Sequence, residues 1–329
     1  MPNPNRSDVH VNVPLTNISI AYIQNADRFI ASQVFPNIPV PKQSDRFFTY
    51  SKADWFRDEA QLRASGTESA GGGYNIDNTP TYFSNVYGIH KDVDDQIRAN
   101  ADIPLDMDRD GTEWLTQQLL IKRERIWASR YFIPNTWGTG SSDLVGVNIS
   151  PTTGQFLQWD NANATPVEDI IFAATAIEQQ TGFAPNTLVL SPYVFNALKN
   201  NADVLDRIKY TQRGIATTDI LAALFEVDNV LVARSAFNSA AEGATGVFDF
   251  IVSSKSALLC YANPRPSILT PSAGYTFSWT GYLGAGNAGN RIKTFRMENL
   301  AADRIEAEMA FDSKLISADL GQFFTTCIA

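Results

Sequence analysis

Two aromatic, strand-prone segments near the N-terminus flank a stretch too small and polar to build a core, and this limits the fold more than any other feature. RFFTYSKADWFRD (46–58) and TPTYFSNVYGIHKDV (79–93) carry the β-branched and aromatic residues that favour strands. Between them SGTESAGGGYNIDN (65–78) has the glycine and small polar content of a loop tip. The pattern predicts a long β-hairpin over residues 45–91, with limbs that reach roughly 50 Å at about 3.3 Å per residue. A two-stranded ribbon is marginal alone in water. Phe47, Phe48, Tyr50, Trp55, Phe56, Tyr82, Phe83 and Tyr87 therefore need a surface to cover them, and a second copy of the chain is the expected one.

The segment before the ribbon has the same need. Pro2, Pro4 and Pro14 keep the start extended, and Ile20, Ile23, Ala26, Phe29, Ile30 and Val34 recur at helical spacing over 18–35. Pro36, Pro39 and Pro41 end that helix. Residues 1–44 read as an arm that must lie on another surface. The opening MPNPNRSDVHVNVP lacks the basic-then-apolar order of a signal peptide, and no apolar run approaches the ~18 residues of a membrane helix. The expected site of synthesis is a cytoplasm, without a membrane partner.

Beyond the ribbon the pattern becomes α+β. A long helix is predicted over 110–133, with Asp110 and Glu113 as a capping box, Leu115, Leu119, Ile126 and Ile133 on one face beside Leu120 and Trp127, and Pro134 as the stop. Its Lys122-Arg123-Glu124-Arg125 run reads as a solvated or subunit-facing side. Residues 134–164 form a Gly-, Ser- and Asn-rich excursion. Thr165, Pro166 and Glu168 open a helix that Gly182 closes, Thr187–Leu190 is a strand, and Ser191-Pro192 starts another helix. Thr218 caps a third helix, and strands follow in VLVA and in FDFIVSSKSALLCYA. YTFSWTGYL, NRIKTFRME and DRIEAEMAFDSKLI alternate as half-buried strands. This order fits neither a doubly wound sheet nor a barrel enzyme.

Motifs that would carry chemistry are incomplete. GAGNAG matches G-x-G-x-x-G at Gly284, Gly286 and Gly289, but a strand-like NRIKTFRM follows where a dinucleotide site needs a helix. Asp106, Asp108, Asp110 and Gly111 begin an EF-hand loop whose twelfth position is Gln117 instead of a bidentate carboxylate. These aspartates are expected to complement the helix dipole. Asp92, Asp94 and Asp95 resemble paired catalytic acids, yet adjacent carboxylates in a polar stretch are ordinarily solvated. His10 and His90 cannot build a histidine-rich metal site, and Cys260 and Cys327 are expected to be buried free thiols. No catalytic residue, cofactor or metal is assigned. A net charge of −9 with no Lys/Arg run beyond a pair argues against gripping nucleic acid, though not against enclosing it.

Three stretches resemble the major capsid proteins of tailed double-stranded DNA phages, the Hong Kong 97-type shell fold: FIASQVFPNIPVPKQSDRFFTY (29–50), TLVLSPYVFNALKNNADVLDRIKYTQRGIATTDILAALFEVDNVLVARSAFN (187–238) and EAEMAFDSKLISADLGQFF (306–324). The resemblance implies an N-terminal arm (1–44), an extended loop (45–91) and a peripheral domain (92–164) around a spine helix. It also implies an axial domain (165–285) and C-terminal strands returning to the peripheral domain (286–329). It implies a structural protein forming hexamers and pentamers of an icosahedral virion capsid around double-stranded DNA, with a portal and, at some shells, a decoration protein. A hairpin starting near residue 45 leaves no room for a cleaved scaffolding segment, so a separate scaffolding protein is expected. Lys52 lies in the loop without the partner motif that a lysine–asparagine crosslink would need. A β-rich hydrolase using the acids and a tail component are the alternatives.

Overall fold

The computed structural model describes residues 24–101, 105–138, 143–209, 216–266, 270–284 and 290–329. Its organising element is the spine helix Met107–Tyr131, which lies on a five-stranded sheet. Asp106 caps this helix, accepting from Asp108 N (3.2 Å) and Arg109 N (3.1 Å), so the start lies before the expected capping box. Asp110 sits inside the first turn, and Arg109 bonds Glu113 instead.

The strand Ala302–Leu315 is the centre of that sheet. One edge pairs antiparallel with Asn85–Asp94; the other pairs with Asn290–Met297 and then Gly274–Trp279. Asn37–Val40 adds a parallel edge on Gly274–Trp279, and an edge is where Pro39 can sit without breaking a ladder. Ile305, Ala307, Met309 and Phe311 alternate towards the helix and bury Leu115, Leu119, Met107 and Val93 between the layers. Gly111 lets the layers approach: a Cβ there would lie 3.3 Å from Lys91 Cδ and 3.4 Å from Ile305 Cδ1.

The long hairpin is corrected by this sheet. Only two short ladders join its limbs, Ser44–Arg46 with Thr81–Phe83 and Thr49–Tyr50 with Ile76–Asp77. From Asn85 the second limb leaves the ribbon, because Ala302–Leu315 offers ten paired residues where the first limb offers few.

The second sheet has six strands in the order Asn229–Val232, Thr187–Leu190, Ala257–Cys260, Gly321–Thr325, Leu144–Val147, Gln155–Leu157. Helices Pro166–Thr181, Pro192–Asn200, Ala202–Ile208 and Thr218–Leu224 cover it. Ser191 Oγ caps the second of these through Val194 N (3.4 Å), and Gly182 closes the first with φ +73°. Thr165 makes no side-chain cap bond there. Three boundaries shift. The excursion 134–164 contributes two strands to this sheet; Gly321–Thr325 joins it, so not all the C-terminal strands return to the spine; and Gly274–Trp279, expected with the axial domain, belongs to the spine sheet.

The arm is described from Gln24. In place of one helix it forms a short 3₁₀ turn, Ala26–Arg28, and one α-turn, Ala31–Val34, with Phe29 extended between them. Residues 18–23 of the expected helix lie outside the described residues. Ile30, Val34 and Phe35 fill a third core with Trp127, Tyr131, Phe132 and Trp137, against the back of the six-stranded sheet at Val189, Leu258 and Phe323. Among the described residues no helix is long and apolar enough to cross a membrane.

Candidate functional site

Of the eight aromatics expected at the surface, the structure splits off three. Tyr82 is only 6% exposed; its ring stacks on Phe277 at 4.6 Å and 13°, so its assignment as an outward contact is corrected. Phe47 stacks on the same ring at 5.5 Å, and Tyr87 packs on Phe311 at 5.2 Å beneath the Lys122 ammonium. These rings fasten the base of the ribbon to the spine sheet. Phe48, Tyr50, Trp55, Phe56 and Phe83 remain exposed.

At the far end the exposed rings form a platform. Tyr50, Trp55 and Tyr74 surround one another with centroids 5.7–6.0 Å apart. Trp55 is 61% exposed and Tyr74 58%, and Ile76 is exposed beside them. The backbone beneath is well tied. Thr49–Tyr50 pairs with Ile76–Asp77, Ser51 N donates to Asn75 O, and the Asp54 carboxylate accepts from Asn75 N (3.0 Å) and Nδ2 (2.9 Å). The Asn75 N–H holds the Asp54 carboxyl below its ordinary range. Lys52 ties the platform's base to Asp319. An apolar surface on a hydrogen-bonded frame is suited to meeting a partner, since little ordering remains to be done on contact.

The acids weighed for catalysis are occupied. Asp92 makes a two-pronged pair with Arg304 (2.7 and 2.8 Å), Asp95 pairs with Arg296, and Asp94 caps Asp95–Ala99 through Gln96 N. Hydrogen bonds from Arg304 and Arg296 hold the Asp92 and Asp95 carboxyls below the usual range, the reverse of what a general acid requires. Asp108 meets Arg98 at 2.7 Å, and no group of three metal-ligating side chains occurs among the described residues. Gly284 is described with φ +94°, Gly286 and Gly289 lie outside the described residues, and Asn290–Met297 is a strand.

Cys260 and Cys327 are free and fully buried, and burial pushes the Cys260 thiol up to about 12. A thiol reagent should label neither in the native chain within minutes and both in guanidinium, read by absorbance; labelling before unfolding would contradict this packing.

The charged run on the spine helix is where sequence reasoning went furthest astray. Glu124 is fully buried, and its two carboxylate oxygens accept from Ile30 N (3.1 Å) and Ala31 N (2.9 Å) of the arm. Burial pushes its carboxyl up to about 7, although both N–H groups and Arg123 pull it down.

No family model matches the chain. It is similar to the major capsid protein of Burkholderia phage BcepMu, 24% identical over 313 residues and 93% of each chain, and to that of Pseudomonas phage JBD67, 23% identical over 318 residues and 96% of each. Among solved structures, 92% of the chain superposes on 93% of a phage-related protein from Bordetella bronchiseptica RB50 at TM-score 0.68 and 21% identity. The capsid protein of cyanophage P-SCSP1u superposes over 98% of this chain and 95% of its own at TM-score 0.61 and 11% identity.

Proposed function

We infer that the chain is a phage major capsid protein with the Hong Kong 97-type fold, a structural subunit and not an enzyme. The observation that carries this is the end-to-end match to two major capsid proteins. The hydrolase reading loses its acids to arginine pairs, and the two end-to-end relatives favour a capsid over a tail component.

The finer assembly is our proposal. Copies associate into hexamers and pentamers of an icosahedral shell around double-stranded DNA in the host bacterial cytoplasm, with a separate scaffolding protein and a portal. The exposed ribbon aromatics, with Phe48, Tyr50, Trp55, Phe56 and Phe83 foremost, meet a neighbouring copy. Burying some 300 Å² of the Tyr50–Trp55–Tyr74 platform would contribute about 7.5 kcal/mol at ~25 cal/mol per Å². Association costs about 4–15 kcal/mol in lost freedom, a range that brackets this gain, so one such contact is marginal and several per subunit acting together hold the shell. That makes closure cooperative. The overall negative charge (−9) suits a wall that encloses nucleic acid without gripping it.

Electron microscopy of the purified chain, expressed alone and with its scaffolding partner, tests the proposal. Closed shells or uniform five- and six-membered rings are expected. A monodisperse monomer under both conditions would sink it.

A further inference from the structure

We propose that Glu124 is a proton-sensitive clasp that sets how readily residues 29–35 of the N-terminal arm lift from the spine helix. The geometry is specific. One carboxylate, wholly enclosed, spans two consecutive arm amides at the start of the turn Ala31–Val34. Among the described residues it is the most deeply buried acidic side chain, fully enclosed where Asp143, Asp312 and Glu308 keep 4–7% of their surface.

The groups around it leave the carboxylate to answer for itself. On its own helix Arg123 is the charge that acts on it, while Lys122 lies over the Tyr87 ring, Arg125 over the Phe237 ring, and Arg130 faces the Asp312 carboxylate. On the arm, Asp27 and Arg28 are exposed. The sheet strands contribute Val189, Leu258, Phe323 and Cys260, whose thiol stays neutral because burial pushes it up to about 12. Tyr131 is raised by burial too and donates its hydroxyl to Ser313 O.

The sign follows from linkage. Docked, the Glu124 carboxyl sits near 7; with the arm lifted it returns towards the ordinary 4.5. The docked form therefore binds the proton more tightly. Its advantage is fully present below the lifted value and is lost as pH rises through 7. A second fastening on the same arm carries no such group: the Gln24 side chain pairs with Ala236 through Nε2 to O (2.7 Å) and through Ala236 N to Oε1 (2.9 Å). The arm thus has one fixed tether and one that loosens with alkali.

Amide hydrogen exchange on the full-length unassembled chain, corrected for intrinsic rates, tests this. Opening at Ile30–Val34 should rise about thirtyfold between pH 5.5 and 8.5, while Ala236 stays flat. Glu124→Gln should abolish the rise. A flat wild type, or the same rise in the variant, would overturn the proposal. Should the variant not fold, a carbon-13 titration of the Glu124 carboxyl in the wild type decides: a midpoint near 7 is expected, and one in the ordinary glutamate range overturns it. The inference rests on the chain's own packing and stands or falls separately from shell formation.

Discussion

Replacing Trp55 and Tyr74 together with serine will leave a chain that folds and does not close into shells. Both rings are more than half exposed and neither belongs to a core cluster, so folding loses little when they go. The frame beneath them survives, because the Thr49–Asp77 and Tyr50–Ile76 pairings and the Asp54–Asn75 bonds use none of the deleted atoms. What disappears is most of the platform's apolar area. When closure depends on many marginal contacts, removing several kcal/mol from each repeated one shifts the threshold concentration by orders of magnitude. A thermal melt should stay within about 2 °C of the wild type, while sedimentation and electron microscopy show only monomers or small rings. Shells of normal size and yield would remove the platform from the assembly surface. Trp55 and Tyr74 are the better pair for this test than Trp55 and Phe56, because the Phe56 ring lies within 3.3 Å of where a Gly182 Cβ would be and so packs partly on its own subunit.

Phe35→Ala should lower the folding free energy by about 3–5 kcal/mol, the range for emptying a well-packed phenylalanine site. The ring is fully buried, with centroids 4.8 Å from Tyr131, 6.1 Å from Trp127 and 6.2 Å from Trp137. Gly274 exists to admit it: a Cβ there would fall 2.4 Å from the ring. Backbone on both sides is fixed by sheet pairing and the spine helix, so the cavity cannot collapse cheaply. Urea unfolding read by tryptophan fluorescence measures the loss, and Phe35→Leu should recover more than half of it. A cost below about 1 kcal/mol would mean the arm is not docked as described. Because this residue joins arm, helix and sheet, the variant should also fail to assemble, through loss of fold instead of loss of contact.

Much of the fold was legible where the signal is local. The apolar spacing of Leu115, Leu119 and Trp127 and the stop at Pro134 marked the spine helix, and Ser191-Pro192 and Gly182 punctuated the helices on the six-stranded sheet. Each of these rests on a few neighbouring residues whose backbone preferences add up in sequence. The site was legible in part. Phe48, Tyr50, Trp55, Phe56 and Phe83 are exposed in the single chain, which leaves them available for the subunit contact their aromatic content led us to expect, whereas Tyr74 sits in the glycine-rich tip and carries no such signal from its neighbours. An aromatic at the centre of such a tip, with nothing apolar beside it in sequence, was the available signal.

By itself the sequence determined the helices, the strand-forming stretches and the need of the ribbon and arm for a covering surface, since propensity, periodicity and punctuation act over a turn or two. Tertiary structure alone decided what each exposed-looking group would meet. Nothing near Tyr82 foretells that Phe277 will close over it, and nothing near Asn85 foretells that Ala302–Leu315 will outbid the other limb of the hairpin. Glu124 is the sharpest case: within Lys-Arg-Glu-Arg it reads as solvated, and only the arm's amides, 93 and 94 positions away, allow its burial. Desolvating a carboxylate is tolerated only where donors wait, and which donors wait is settled by how distant segments pack.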